Sequence, residues 1–137
     1  MKIYIDNNIV LDALLGRHPF NEAAEKILSA CADNHQGCLS VNSLTDIFYV
    51  LRKFIDVSAA KTAIKKLLEL LEIVSVNSED CLNALSLPIV DFEDALAVVC
   101  CKNSRADCIV TRDKEFLQTK SVVPVILPEQ LLARLNR

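Results

Sequence analysis

Lys2-Ile3-Tyr4-Ile5-Asp6-Asn7-Asn8-Ile9-Val10-Leu11 holds the first strand-to-helix transition of the chain. Lys2 to Ile5 is β-rich and reads as a short strand ending at Asp6. Val10, Leu11, Leu14 and Leu15 then share one helical face, and the pattern stops near Gly16. Pro19 is expected to open a second helix, with Ala23, Ala24, Ile27, Leu28 and Cys31 as its apolar stripe. Gly37 is expected to break that helix before a strand over Cys38 to Val41. Leu44, Ile47, Phe48 and Leu51 mark a third helix; Ile64, Leu67, Leu68 and Leu71 mark a fourth behind Ser58 as cap. Ile73 to Val76 reads as a strand, Ser78 to Leu87 and Phe92 to Lys102 as helices, and Cys108 to Thr111 as a buried strand. A brief helix from about Lys114, a strand over Val122 to Leu127 and a helix from Pro128 follow. Strands joined by helical crossovers imply an α/β fold of three layers, α/β/α, around a mainly parallel sheet of four to five strands.

Composition agrees with one domain over residues 1–137. The hydrophobic fraction is 52%, and 2 Gly and 4 Pro do not suit a disordered or collagenous chain. A formal net charge of -3 argues against a generic polycation that coats nucleic acid or an anionic membrane. Charge arrives before any signal-like apolar stretch can form at the N-terminus, and the uncharged run Ala95 to Cys101 is too short to span a bilayer. The expectation is a cytoplasmic protein. The 6 Cys contain no CxxC pair, so buried free thiols are expected rather than disulfides or a zinc site.

Ligands of open α/β sheets gather at the carboxyl ends of strands. Four carboxylates map there. Asp6 ends the first strand, and Asp113 lies just past Thr111 at the end of the fourth. Asp94 sits in the first turn of the helix feeding that strand, and Asp46 on the helix after the second strand. Local roles exist for all of them. Asp6 and Asp113 suit helix caps, while Ser43 to Asp46 and Asp91 to Asp94 resemble capping boxes. Asp46 nevertheless shares a stripe with Tyr49 and Val50, and Asp94 with Ala97, Val98 and Cys101. Neither has Lys or Arg at i+3 or i+4. An unpaired carboxylate on an apolar stripe is costly unless a cation sits beside it, and a divalent metal ion is the candidate.

Four segments carry a resemblance over nearly the full length: Tyr4 to Asp12, the Ser43 to Leu51 helix, Asp91-Phe92-Glu93-Asp94-Ala95-Leu96, and Val110-Thr111-Arg112-Asp113-Lys114-Glu115-Phe116. Together they resemble the PIN domain, the nuclease fold of the VapC-type toxins. The resemblance implies a PIN-like fold and cleavage of RNA phosphodiester bonds with Mg²⁺ or Mn²⁺. It implies Asp6, Asp46, Asp94 and Asp113 as catalytic acids. Asp6, Asp94 and Asp113 are the expected metal ligands, direct or through water, with Asp46 positioning metal or water. Asn8, Thr111, Asp91 and Arg112 are expected to orient the acids or contact substrate. Two departures stand out: the family's second acid is usually Glu where this chain has Asp46, and the residue after the first Asp is usually Thr or Ser where it has Asn7. A toxin of this kind would pair with a small antitoxin, and homodimers are common in the family. Leu67, Leu68, Leu70 and Leu71 suit either a core helix or such an interface.

The chemistry of such a cluster is general. Mg²⁺ prefers hard oxygen ligands and retains waters; ions so held polarise phosphate and lower the pKa of bound water. Removing the four acids leaves a formal charge of about +1, so the acidic balance is concentrated at the site. Arg17, Arg52, Lys53, Arg112 and Lys114 are candidate phosphate contacts. Competing chemistries lack their residues. His18 and His35 would be roughly 25 Å apart along one helix, too far for a paired acid and base. An aspartyl phosphotransferase usually has a second Asp two residues on, where Asn8 stands. No phosphate-binding Gly loop or GxSxG elbow occurs. The alternative is a PIN-fold scaffold that binds RNA or protein without cutting.

Overall fold

Strand residues alternate between two apolar faces, and that alternation organises the whole molecule. The computed structural model describes residues 1–136. β1 (Lys2–Ile5), β2 (Gln36–Ser40), β3 (Glu72–Val74), β4 (Cys108–Val110) and β5 (Val125–Ile126) pair in parallel in the order β3-β2-β1-β4-β5. Ile3, Ile5, Leu39, Cys108 and Val110 point into one core; Tyr4, Cys38 and Ile109 point into the other. A sheet buried on both faces needs strands that are apolar throughout, which is how β1 and β4 read.

The first core is closed by α1 (Asn7–Leu15), α2 (Asn21–Asp33), α3 (Val41–Leu51), α4 (Val57–Leu70) and α8 (Pro128–Leu135), through Ile9, Ile27, Ile47, Leu67 and Leu131 among others. The second is closed by α5 (Ser78–Leu85), α6 (Phe92–Asn103) and the short α7 (Lys114–Leu117). Every residue of α6 from Ala95 to Cys101 is buried, so this helix is a core element all round. Each fully buried Leu, Ile or Phe contributes roughly 1.5–3 kcal/mol.

Several boundaries differ from expectation: β2 ends at Ser40, β3 at Val74 and α5 at Leu85, and β5 covers only Val125–Ile126 of the expected Val122 to Leu127. Gly37 does not break a helix; it lies inside β2, and α2 ends before it at Asp33. A Cβ there would stand 2.7 Å from Leu71 Cδ2 and 2.8 Å from Cys31 Sγ, so this glycine admits α2 and the chain after α4 close to the sheet. The cap of α4 is Asp56, accepting from Ala59 N at 2.8 Å, rather than Ser58. The second helix starts at Asn21, two residues past Pro19. In α4 and just beyond, Leu67 and Leu71 are core while Leu68 is exposed. The six cysteines are free, five of them buried. Burial pushes the Cys101 thiol up to about 12, which makes it a packing group at neutral pH.

The topology locates the site. The chain steps from β1 outward to β2 and β3, then returns to lay β4 on the other side of β1. The strand order therefore reverses at β1, and a crevice opens outside the carboxyl ends of β1 and β4. Asp6 N donates to Val110 O at 3.1 Å there, tying the two strand ends together.

Candidate acidic site at the strand ends

Asp6, Asp91 and Asp113 each cap a helix, and the same residues line the crevice. Asp6 precedes α1 in extended backbone, and its Oδ1 accepts from Asn7 N at 2.9 Å. Asp91 Oδ1 accepts from Asp94 N at 3.0 Å, and Asp113 Oδ1 from Glu115 N at 3.0 Å. A carboxylate offers about four acceptor positions, so a capping bond leaves most of them free. Capping and ligand binding are compatible here, and capping explains why these side chains are held still. Thr111 is fully buried and joins two of the acids. Its hydroxyl donates to Asp6 Oδ2 at 2.6 Å and accepts from Asp113 N at 3.1 Å.

The crevice has a volume of about 360 Å³. Asp6, Asp46, Asp91, Glu93, Asp94 and Asp113 line it together with Asn7 and Asn8, and no Lys or Arg is among its lining residues. Clustering shows in the titration behaviour. Asp94 is pushed up to about 7, first by desolvation and then by the charges of Asp91, Asp6, Asp113 and Glu93. Asp6 is raised by desolvation, which its bond from Thr111 partly opposes. Glu93 is raised by desolvation and by Asp46, Asp6 and Asp91. These carboxylates are crowded without compensation from the chain itself.

All four expected acids thus reach one crevice, by different routes. Asp94 is half-buried at the start of α6. Asp46 is solvent-exposed and does not sit on a buried stripe. α3 packs inward through Leu44, Ile47 and Leu51, which turns Asp46 to the crevice wall. Asn8 lines the crevice, and its Oδ1 is buried without a hydrogen-bond partner. Arg112 is placed differently from expectation. Its Nε donates to Asp12 Oδ2 at 2.6 Å and its second terminal nitrogen to Asp12 Oδ1 at 2.9 Å, while the guanidinium lies 4.0 Å over the Phe20 ring. Arg17 stands 3.7 Å from the same carboxylate. Arg52 and Lys53 lie over the ring of Tyr49.

Two residues escaped the sequence reading. Glu93 reaches the crevice and accepts from Asn7 Nδ2 at 3.3 Å. Its position beside Asp94 in a first helical turn was the available signal, but first-turn acids are common for electrostatic reasons alone. Asp12 is fully buried, with Arg112 as its partner one hundred residues on. Its only local signal was a charge on the apolar face of α1.

The donor set suits a hard divalent cation: six carboxylates, a partnerless amide oxygen and no competing base. Among the described residues, no three His, Cys, Asp or Glu side chains already stand at positions that would grip an ion. An ion that keeps its waters can be reached through them, so such spacing is compatible with a hydrated divalent cation.

A family model described as "PIN domain" matches residues 2–115. Ribonuclease VapC1 of Aquifex aeolicus (strain VF5) is 28% identical over 143 aligned positions, covering 98% of this chain and 96% of that protein. Among solved structures, the sarcin-ricin loop cleaving toxin VapC20 of Mycobacterium tuberculosis aligns with a TM-score of 0.72 at 13% identity, over 88% of this chain and 96% of that one. A toxin-antitoxin complex from Klebsiella pneumoniae aligns with a TM-score of 0.70 at 17% identity, over 92% and 97%. At those identities the structures speak for the fold, which is the same three-layer arrangement.

Proposed function

The chain belongs to the PIN domain family, and from that premise we propose that it is a metal-dependent endoribonuclease hydrolysing RNA phosphodiester bonds, the toxin of a toxin-antitoxin pair. The observation that carries the reading is the uncompensated crevice: six carboxylates from the ends of β1 and β4 and from α3 and α6, with no cation among them. The likeness to a ribonuclease over 98% of the chain supports the activity. The likeness to a toxin-antitoxin complex supports an antitoxin as partner; a homodimer of the toxin is proposed from the family resemblance alone.

Asp6, Asp94 and Asp113 are the proposed holders of Mg²⁺ or Mn²⁺, with Asp46, brought to the same crevice by α3, positioning the ion or a water. Bound there, such an ion neutralises phosphate charge and makes water a better nucleophile. The chain's own residues prepare that chemistry. Thr111 favours the ionised form of Asp6 by donating to Oδ2, against the desolvation that raises it, and the same hydroxyl steadies the backbone of Asp113. Asn8 offers an amide oxygen that has no other partner. Asp91 fixes the first turn of α6 and hence Asp94. Arg112, bound to Asp12, is proposed to secure the Thr111 to Asp113 segment rather than to touch substrate.

The open spacing of the acids is the one observation favouring a scaffold that binds RNA without cutting. Incubation of the protein with structured RNA, with and without Mn²⁺ and beside Asp6→Asn, separates the two. Cleavage that needs both metal and Asp6 is expected. RNA retention with no cleavage at any metal concentration would leave the scaffold standing instead.

A further inference from the structure

A second groove, of about 700 Å³, adjoins the acidic crevice, and Asp91 and Asp94 line both. One wall is apolar, formed by Ile89, Val90 and Phe92; the other carries Glu115, Gln118 and Lys120. Val90 is entirely exposed and Phe92 is 45% exposed, and neither joins the two cores. Phe92 occupies the first position of α6, which Asp91 already caps, so helix formation does not call for an aromatic residue there. Its ring is left partly exposed in the groove, two residues before Asp94.

The charges of the groove select among occupants. A phosphate deep inside would meet Asp91, Asp94 and Glu115 against a single Lys120. An uncharged base would not be repelled: its face can stack on the aromatic ring, and its amino groups can donate to Glu115 or to the Gln118 carbonyl. The volume suits a ligand of nucleotide size.

We infer that this groove is a nucleobase subsite, holding the base of a nucleotide next to the bond cut in the acidic crevice. Phe92 supplies the stacking face, Glu115 and Gln118 read the base edge, and the exposed Lys120 meets a neighbouring phosphate. The inference rests on the ribonuclease reading and adds to it a determinant of which RNA positions are cut.

Phe92→Ala, Phe92→Leu and Phe92→Tyr separate stacking from mere apolar contact. Binding of a fluorescent single-stranded RNA hexanucleotide is measured by anisotropy with Asp6 intact and Ca²⁺ in place of Mn²⁺, an oxygen-liking ion chosen to fill the crevice without supporting cutting. Cleavage positions on a longer RNA are mapped with Asp6 intact. Phe92→Ala and Phe92→Leu are expected to bind about 5- to 100-fold more weakly and to shift the base preference beside the cut, with Phe92→Tyr close to the parent. Equal binding by all three variants, with cleavage positions unchanged, overturns the subsite while leaving the ribonuclease intact. Loss of affinity only for a co-purified protein partner overturns it as well, in favour of a protein-docking groove. A parent protein that cuts no RNA in Mn²⁺ overturns the ribonuclease reading itself, and the subsite with it.

Discussion

Asp6 and Asp12 lie six positions apart, at the cap and inside the same helix, yet they stand in opposite electrostatic situations. Asp12 is fully buried and answered by the chain: Arg112 grips it with two hydrogen bonds and Arg17 stands beside it. Asp6 is half-buried and answered only by neutral donors, Thr111 and Asn7, with other acids behind it. One carboxylate completes a structural joint. The other belongs to a group left waiting for positive charge from outside. A buried acid with its own guanidinium is a joint that cannot lose one partner alone, whereas a cluster of acids without one is a binding site whose formation costs stability. The contrast is physically joined, because Arg112 sits between Thr111 and Asp113.

Breaking the Asp12 joint is expected to have the largest effect. Arg112→Met leaves a buried carboxylate facing only Arg17 and is expected to cost about 3–5 kcal/mol, seen as a lower urea midpoint at unchanged slope. A companion Asp12→Leu in the same protein is expected to recover most of that loss, as apolar replacement of a buried pair commonly does. If Arg112→Met alone leaves the midpoint unmoved, the joint is not structural.

Supplying the missing charge comes next. At a Mn²⁺ concentration 100 times its dissociation constant, folding is expected to gain about 2.7 kcal/mol, and Asp6→Asn is expected to abolish most of that gain in a thermal melt. Thr111→Val then tests the link between the two acids it touches. It removes the donor to Asp6 and the acceptor of Asp113 N, and a fall of about 10- to 100-fold in Mn²⁺ affinity is expected by titration calorimetry.

The smallest effect comes from Asp94. Its folded value of about 7 lies above its unfolded one, so the folded state holds the extra proton between about pH 4 and pH 7. Stability of the metal-free protein is therefore expected to fall as pH rises through that window and to level off above it. At pH 8, Asp94→Asn is expected to raise stability by roughly 1 kcal/mol, discounted for the partial exposure of the group, and to flatten the pH profile. A metal-free melt that strengthens between pH 5 and pH 8 would contradict the crowding of the crevice.

Much of this is legible in the order of residues. The strand-to-helix change at Asp6, the apolar runs of β1 and β4 and the stripes of α2 and α3 are local patterns, and local patterns carry element type and order. Acids at strand ends could be picked out because parallel topology brings those ends to one edge. Other features were misread for an equally physical reason. Gly37 resembles a helix stop, and only the approach of Leu71 and Cys31 reveals a packing glycine. Asp46 resembled a buried charge because helical spacing identifies a face without saying which neighbour covers it. Arg112 counted as one cation among five, since no local rule connects it with Asp12.

From the order of residues alone came the class of fold, the strand-end carboxylates and the kind of ion they suit, because hydrophobic period and side-chain chemistry act over a few neighbouring positions. Which acids keep their charge unanswered, which arginine is spent on a buried partner, and where Phe92 is left partly exposed were decided only by tertiary packing. Desolvation and Coulomb attraction depend on distances through space, and folding sets those distances between residues as far apart along the chain as Asp12 and Arg112.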